Sequence, residues 1–179
     1  DLGWMGLVFP EKYGGSEFKF LDLAVLLEEM GRNLTPSPFF NTVVLCGMPI
    51  LEFGSEAQKD AHLGKIASGD EIWIYAQTEP SATWEASGVE LVASKSGDSF
   101  TLDGTKLFIS YGGVADYLLV VARTKDGTSE DGITLFLVDA KSSGISYEPL
   151  KTIASDHQVE ITFKNVQVSA ADVLGSENG

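Results

Sequence analysis

The chain has 179 residues, 44% hydrophobic and 21% charged, an ordinary globular composition that excludes a disordered or collagen-like polymer. Twelve Lys and Arg against 26 Asp and Glu give a formal charge of −14. That balance argues against a nucleic-acid binder, which needs a positive face to displace counterions from phosphate, and against attachment to anionic membranes.

In chain order, Phe20, Leu23, Ala24, Leu27 and Met30 recur at three- and four-residue spacing and predict a helix over about 17–31, stopped at Gly31. The next 19 residues, Asn33 to Leu51, carry no charge. They approach the ~20 residues that span a bilayer, but Pro36, Pro38, Asn41 and Pro49 break the run. A loop is predicted there, then a helix from about Asn41 into Leu51, kinked or ended at Pro49; no membrane insertion is expected. Ser55-Glu56-Ala57-Gln58 is a capping box that opens a third helix, ending near Ser68-Gly69. The absence of an initiator Met and of a signal-peptide pattern predicts a processed chain or a piece of a longer one.

Near residue 70 the hydrophobic period changes to two. Ile72, Ile74 and Ala76 alternate with Trp73 and Tyr75, and short runs follow at 89–94, 99–102, 106–110, 117–123, 133–138, 145–150 and 159–163. Ser96-Gly97-Asp98 and Asp103-Gly104 read as turns between them. The predicted fold is α+β: a partial helical domain over 1–70, then an antiparallel β-sandwich or barrel over 71–179.

Generic chemical signatures are missing. No GxGxxG, GxxxxGK[ST] or GxSxG motif is present. The single cysteine, Cys46, allows no intrachain disulfide and reads as a small buried hydrophobe. His62 and His157, 95 residues apart, leave too few ligands for a zinc-type metal site. Both read as solvated surface residues.

Longer patterns carry more. Gly3-Trp4-Met5-Gly6-Leu7-Val8-Phe9-Pro10-Glu11-Lys12-Tyr13-Gly14-Gly15 is followed by Leu27-Glu28-Glu29-Met30-Gly31. Gly47-Met48-Pro49-Ile50 leads to Phe53-Gly54-Ser55-Glu56-Ala57-Gln58-Lys59. Then come Tyr75-Ala76-Gln77-Thr78-Glu79-Pro80 and Leu102-Asp103-Gly104-Thr105-Lys106-Leu107-Phe108-Ile109-Ser110, with an ending from Phe163 to Gly175. In this order and spacing they resemble the acyl-CoA dehydrogenase family over nearly the whole chain.

That resemblance implies a helical domain, a middle β domain and a C-terminal four-helix bundle beyond this sequence, with FAD as cofactor. It implies α,β-dehydrogenation of an acyl-CoA thioester to the trans-2-enoyl-CoA, with electrons passed to an electron-transferring flavoprotein. A homotetramer is implied, in a bacterial cytoplasm or the mitochondrial matrix. Thr78, helped by Tyr75 and Gln77, falls where the family meets the flavin's pyrimidine edge. Phe108, Ile109 and Ser110 fall where a ring covers the flavin and a hydroxyl meets its hydride-accepting nitrogen; alternation along a strand would set Phe108 and Ser110 on one face and Ile109 on the other. Thr83 and Trp84 lie in the loop expected near the substrate. There the family's Gly-Ala-Gly-Ser-Asp is replaced by Ser81-Ala82-Thr83-Trp84-Glu85, which leaves open a reshaped acyl pocket or a non-catalytic subunit of a hetero-oligomer; an oxidase of the same fold is a separate alternative. The family's base is a Glu in the bundle; Glu79 reads as structural, and no catalytic residue is assigned.

Overall fold

The computed structural model describes residues 2–154 and 156–178, and the chain divides into two units, 1–73 and 74–179. In the first, helix α1 runs over Phe20–Arg32. It starts later than the periodicity predicts because residues 16–18 are tied back in a bridge: Ser16, Glu17 and Phe18 donate their N–H groups to Gly6, Phe9 and Leu7. The Asp22 carboxylate then accepts from the Lys19 N–H at 2.9 Å, satisfying a donor at the helix start. Of the predicted apolar face Leu23 is buried, Ala24, Leu27 and Met30 are half-buried, and Phe20 is exposed.

The segment Phe40–Gly47 is a π-helix, in which the Met48 N–H returns to the Val43 carbonyl. It passes directly into α2, Met48–Phe53. Pro49 therefore does not end the helix, which continues through it to Phe53; it is the second residue of α2. Helix α3, Glu56–Ser68, opens as predicted: the Ser55 hydroxyl accepts from Gln58 N–H and the Gln58 side chain accepts from Ser55 N–H. It closes on Gly69 at φ 83°, a left-handed position suited to glycine.

His62 corrects the sequence reading. It is not a solvated surface residue, because its ring packs edge-on against Trp73 at 4.8 Å and its Nδ1 lies 3.0 Å from Glu71 Oε2. The same carboxylate accepts from Trp73 Nε1 at 3.0 Å and Lys65 Nζ at 2.8 Å. Burial alone would push the Glu71 carboxyl up, but the bonds from Lys65, Trp73 and His62 outweigh it and hold it below the usual carboxylate value. Cys46 is buried, as its type predicts.

Eight strands form one sheet, all within the second unit but for the first residue of β1: β1 (Trp73–Ala76), β2 (Val92–Ser96), β3 (Ser99–Ser110), β4 (Tyr117–Arg123), β5 (Ile133–Asp139), β6 (Ile145–Leu150), β7 (Gln158–Ser169) and β8 (Val173–Leu174). The order is β6-β7-β3-β2-β4-β5-β8, with β1 added on β4. The pairs β2–β3, β3–β7, β4–β5, β5–β8 and β6–β7 are antiparallel, and β2 meets β4 in parallel at Val92 and Arg123. Apolar inward residues such as Leu91, Phe100, Leu102, Leu118, Phe136 and Ile161 form the core. Among the described residues no helix is long and apolar enough to cross a membrane.

Several sequence boundaries move; the run at 159–163, for one, extends to Ser169. Asp103-Gly104 is no turn: β3 runs through it for 12 residues beside an equally long β7. The Asp103 carboxylate accepts from Asn165 N–H at 2.8 Å, and β7 carries an extra residue opposite, a bulge with Asn165 at φ 53°. The run at 89–94 becomes a strand only from Val92, because the backbone of residues 89–91 is engaged by side chains.

Candidate functional site

The site begins where β1 ends. Gln77, Thr78 and Glu79 continue the chain beside β3, where Leu107 N–H donates to the Thr78 carbonyl at 2.8 Å. This contact brings the 75–80 motif and the 106–110 motif together. Glu79 and Lys106 lock the junction beneath it. Lys106 Nζ donates to Glu79 Oε1 at 2.6 Å and to the Gln77 carbonyl at 3.0 Å; the two side chains are 0% and 2% exposed.

A bulge decides which side chains of β3 face outward. Phe100, Leu102 and Lys106 point into the core with the alternation of a strand. Between Lys106 and Ile109, β3 then advances three residues while β7 advances two. Phe108 takes up the extra residue at φ 56°, so Ile109 becomes buried and Phe108 is 52% exposed. Regular alternation would have put Lys106, Phe108 and Ser110 on one face; the bulge separates Lys106 from the other two. A left-handed backbone is unusual for a bulky residue, and such strain concentrates at binding sites.

The residues present suit a planar heteroaromatic group with a polar edge. The Thr78 and Ser110 side chains are half-buried, and among the described residues neither hydroxyl has a hydrogen-bond partner. Two open hydroxyls and an outward flat ring supply the polar and stacking contacts such a group needs. Tyr75 is half-buried at the end of β1.

Beyond Pro80 the loop is tied across its neck. Ser81 Oγ donates to the Gly88 carbonyl at 2.9 Å and Gln77 Nε2 to the Trp84 carbonyl at 3.2 Å. Glu79 accepts from the N–H groups of Glu90 at 2.8 Å and Leu91 at 3.0 Å, while buried Arg123 donates to the Val89 carbonyl at 2.9 Å. Ala82 carries a φ of 55° without being glycine. Thr83 Oγ1 accepts from Glu85 N–H at 3.2 Å, and Trp84 is 78% exposed.

Sequence reasoning overlooked two features. Lys106 was legible only as a charged residue at an inward position between Leu102 and Ile109. A cleft of about 440 Å³, lined by Tyr111, Val114, Leu150, His157 and Val159, opens at the residue after Ser110; its only signal was the Tyr111-Gly112-Gly113 run. His157 is exposed, as its polar surroundings predict.

Residues 1–70 match the profile of the acyl-CoA dehydrogenase N-terminal domain and residues 75–166 that of the acyl-CoA dehydrogenase middle domain. The short-chain specific acyl-CoA dehydrogenase of Megasphaera elsdenii is 37% identical over 99% of this chain and 49% of its own length. The solved butyryl-CoA dehydrogenase from that organism superposes with a TM-score of 0.89 at 35% identity, covering 99% of this chain and 49% of that one. A structure described as an FAD-dependent dehydrogenase gives 0.88 at 32% identity, covering 99% and 50%. The chain therefore spans about half the length of the relatives it matches, and over that span it belongs to the acyl-CoA dehydrogenase family.

Proposed function

We propose that this chain forms the flavin-facing part of an FAD-dependent acyl-CoA dehydrogenase, which converts an acyl-CoA thioester to the trans-2-enoyl-CoA. The junction of the Thr78 carbonyl with Leu107 N–H, 2.8 Å, carries this reading. It sets two open hydroxyls and an outward aromatic ring on adjoining segments of a family known by its flavin chemistry. When bound, the flavin supplies the hydride acceptor. Thr78 offers its hydroxyl to the polar edge of the ring system, with Tyr75 and Gln77 beside it; Phe108 covers one face and excludes water; Ser110 offers a hydroxyl at the reacting edge. Ile109 anchors this stretch from the core side. Thr83 and Trp84 meet the substrate from the loop, and no acidic residue of this chain is assigned as the base. An electron-transferring flavoprotein is the acceptor and the assembly a homo-oligomer, in a bacterial cytoplasm or the mitochondrial matrix.

Purification of the full-length protein tests this. It should be yellow, and its visible absorbance should bleach when butyryl-CoA is added without oxygen. Thr78→Ala and Phe108→Ala should each lower FAD retention. A colourless protein that takes up no FAD overturns the reading in favour of a non-catalytic subunit, and oxygen consumption during turnover would mark an oxidase.

A further inference from the structure

Thr78 is held at three consecutive positions by two consecutive residues of β3. Lys106 Nζ grips the carbonyl before it, that of Gln77, at 3.0 Å and the carboxylate after it, that of Glu79, at 2.6 Å. Leu107 N–H takes the Thr78 carbonyl itself at 2.8 Å. The bulge at Phe108 lets the same strand send Lys106 inward and Phe108 outward. Stability alone does not require charges here. A well-packed apolar pair of similar volume is often as stable as a buried ion pair, but it would give the Gln77 carbonyl no partner and leave only the Leu107 N–H of the three bonds that fix the backbone around Thr78.

We infer that Lys106, paired with Glu79, is a positioning residue: it aims the Thr78 hydroxyl at the flavin's polar edge, and so tunes flavin affinity and reduction potential without touching the flavin. The inference rests on the flavin reading above and adds to it. A side chain held within a few tenths of an ångström of its productive direction binds better than one that samples several.

The test uses the full-length protein and FAD. Dissociation constants, visible spectra and midpoint potentials are measured for wild type, Thr78→Ala, the double variant Lys106→Met/Glu79→Gln, and the triple variant. The double variant leaves no lone buried charge, so it should fold. It should bind FAD at least tenfold more weakly, with a shifted visible spectrum and midpoint potential. Adding Thr78→Ala to it should cost little more, because an unaimed hydroxyl has little left to lose. Unchanged affinity, spectrum and potential in the double variant overturns the inference, as does a Thr78→Ala effect that multiplies in full. Should the double variant not fold, Lys106→Gln/Glu79→Gln serves: it too leaves no lone buried charge and keeps an acceptor at position 79 for the Leu91 N–H, but removes the ammonium that holds the Gln77 carbonyl; it should bind FAD several-fold more weakly, and unchanged binding overturns the inference. Wild type that takes up no FAD removes the flavin reading itself; tight wild-type binding with indifferent variants removes only the role of Lys106.

Discussion

The Lys106 ammonium and the Glu79 carboxylate meet at 2.6 Å in the interior of the β unit. Neither group is left with its partner alone. Lys106 also holds the Gln77 carbonyl, and Glu79 also accepts from the N–H groups of Glu90 and Leu91. Burial pushes the Lys106 ammonium down, against the opposing pull of the Glu79 carboxylate. The pair thus ties the end of β1, the inward side of β3 and the far end of the 80–91 loop to one point.

Removing one member leaves the other buried without compensation. Glu79→Ala should destabilise the protein by about 3–5 kcal/mol, since it strands the Lys106 charge and two backbone donors. Chemical denaturation of the full-length protein checks this. A loss under about 1 kcal/mol would mean that water reaches Lys106 and that the pair is dispensable.

Local chemistry made part of this fold legible. The Ser55–Gln58 capping box lies within four residues, and the Gly69 stop follows directly from a left-handed φ. Long-range pairing did not show in the same way. His62 reads as a surface residue until Glu71 and Trp73 arrive from beyond the helix. Asp103-Gly104 reads as a turn because its residue types favour one; only the partner strand, through Asn165, turns it into a bulged strand interior. At the site, the motifs of 75–80 and 106–110 stood out, but the inward Lys106 and the left-handed Phe108 depend on a register that β7 imposes.

Acid should unfold the helical unit partly through Glu71. Its carboxyl is held below the usual value in the fold, so the unfolded chain binds its proton more readily. The stabilisation is present above the ordinary carboxylate value of 4.5 and is lost as pH falls through the lower folded value. Glu71→Gln should cost about 1–3 kcal/mol at pH 7 and flatten the dependence of stability on pH below about 4.5. Denaturant titrations from pH 3 to 7 on both proteins measure it; parallel curves would exclude Glu71 from the acid response.

Gly104 has two reasons to be glycine. Its φ is 150°, and an added Cβ would lie 2.8 Å from Leu91 Cα. Leu91 is held in place by Glu79 through its N–H and by Arg123 N–H through its carbonyl, so the neighbour has no freedom to withdraw. Gly104→Ala should therefore destabilise by about 2–3 kcal/mol, the cost of forced overpacking together with backbone strain. A thermal midpoint equal to wild type would mean that the 89–91 segment moves aside.

Ala82 presents the opposite case. It adopts φ 55° without a glycine's freedom, which costs an L residue about 1–2 kcal/mol. Ala82 N–H still closes a turn on the Glu79 carbonyl at 2.9 Å, so the conformation is enforced by the loop and not by Ala82 itself. Ala82→Gly relieves the strain but enlarges the unfolded ensemble by a comparable 0.5–1 kcal/mol or so. The net change should be a stabilisation of about 0–1 kcal/mol, against a loss for Ala82→Val, whose branched side chain tolerates the left-handed region worse still. Denaturation midpoints of the two variants, measured together, check the ordering Gly, Ala, Val; a Val variant as stable as wild type would show that residue 82 leaves the left-handed region in solution.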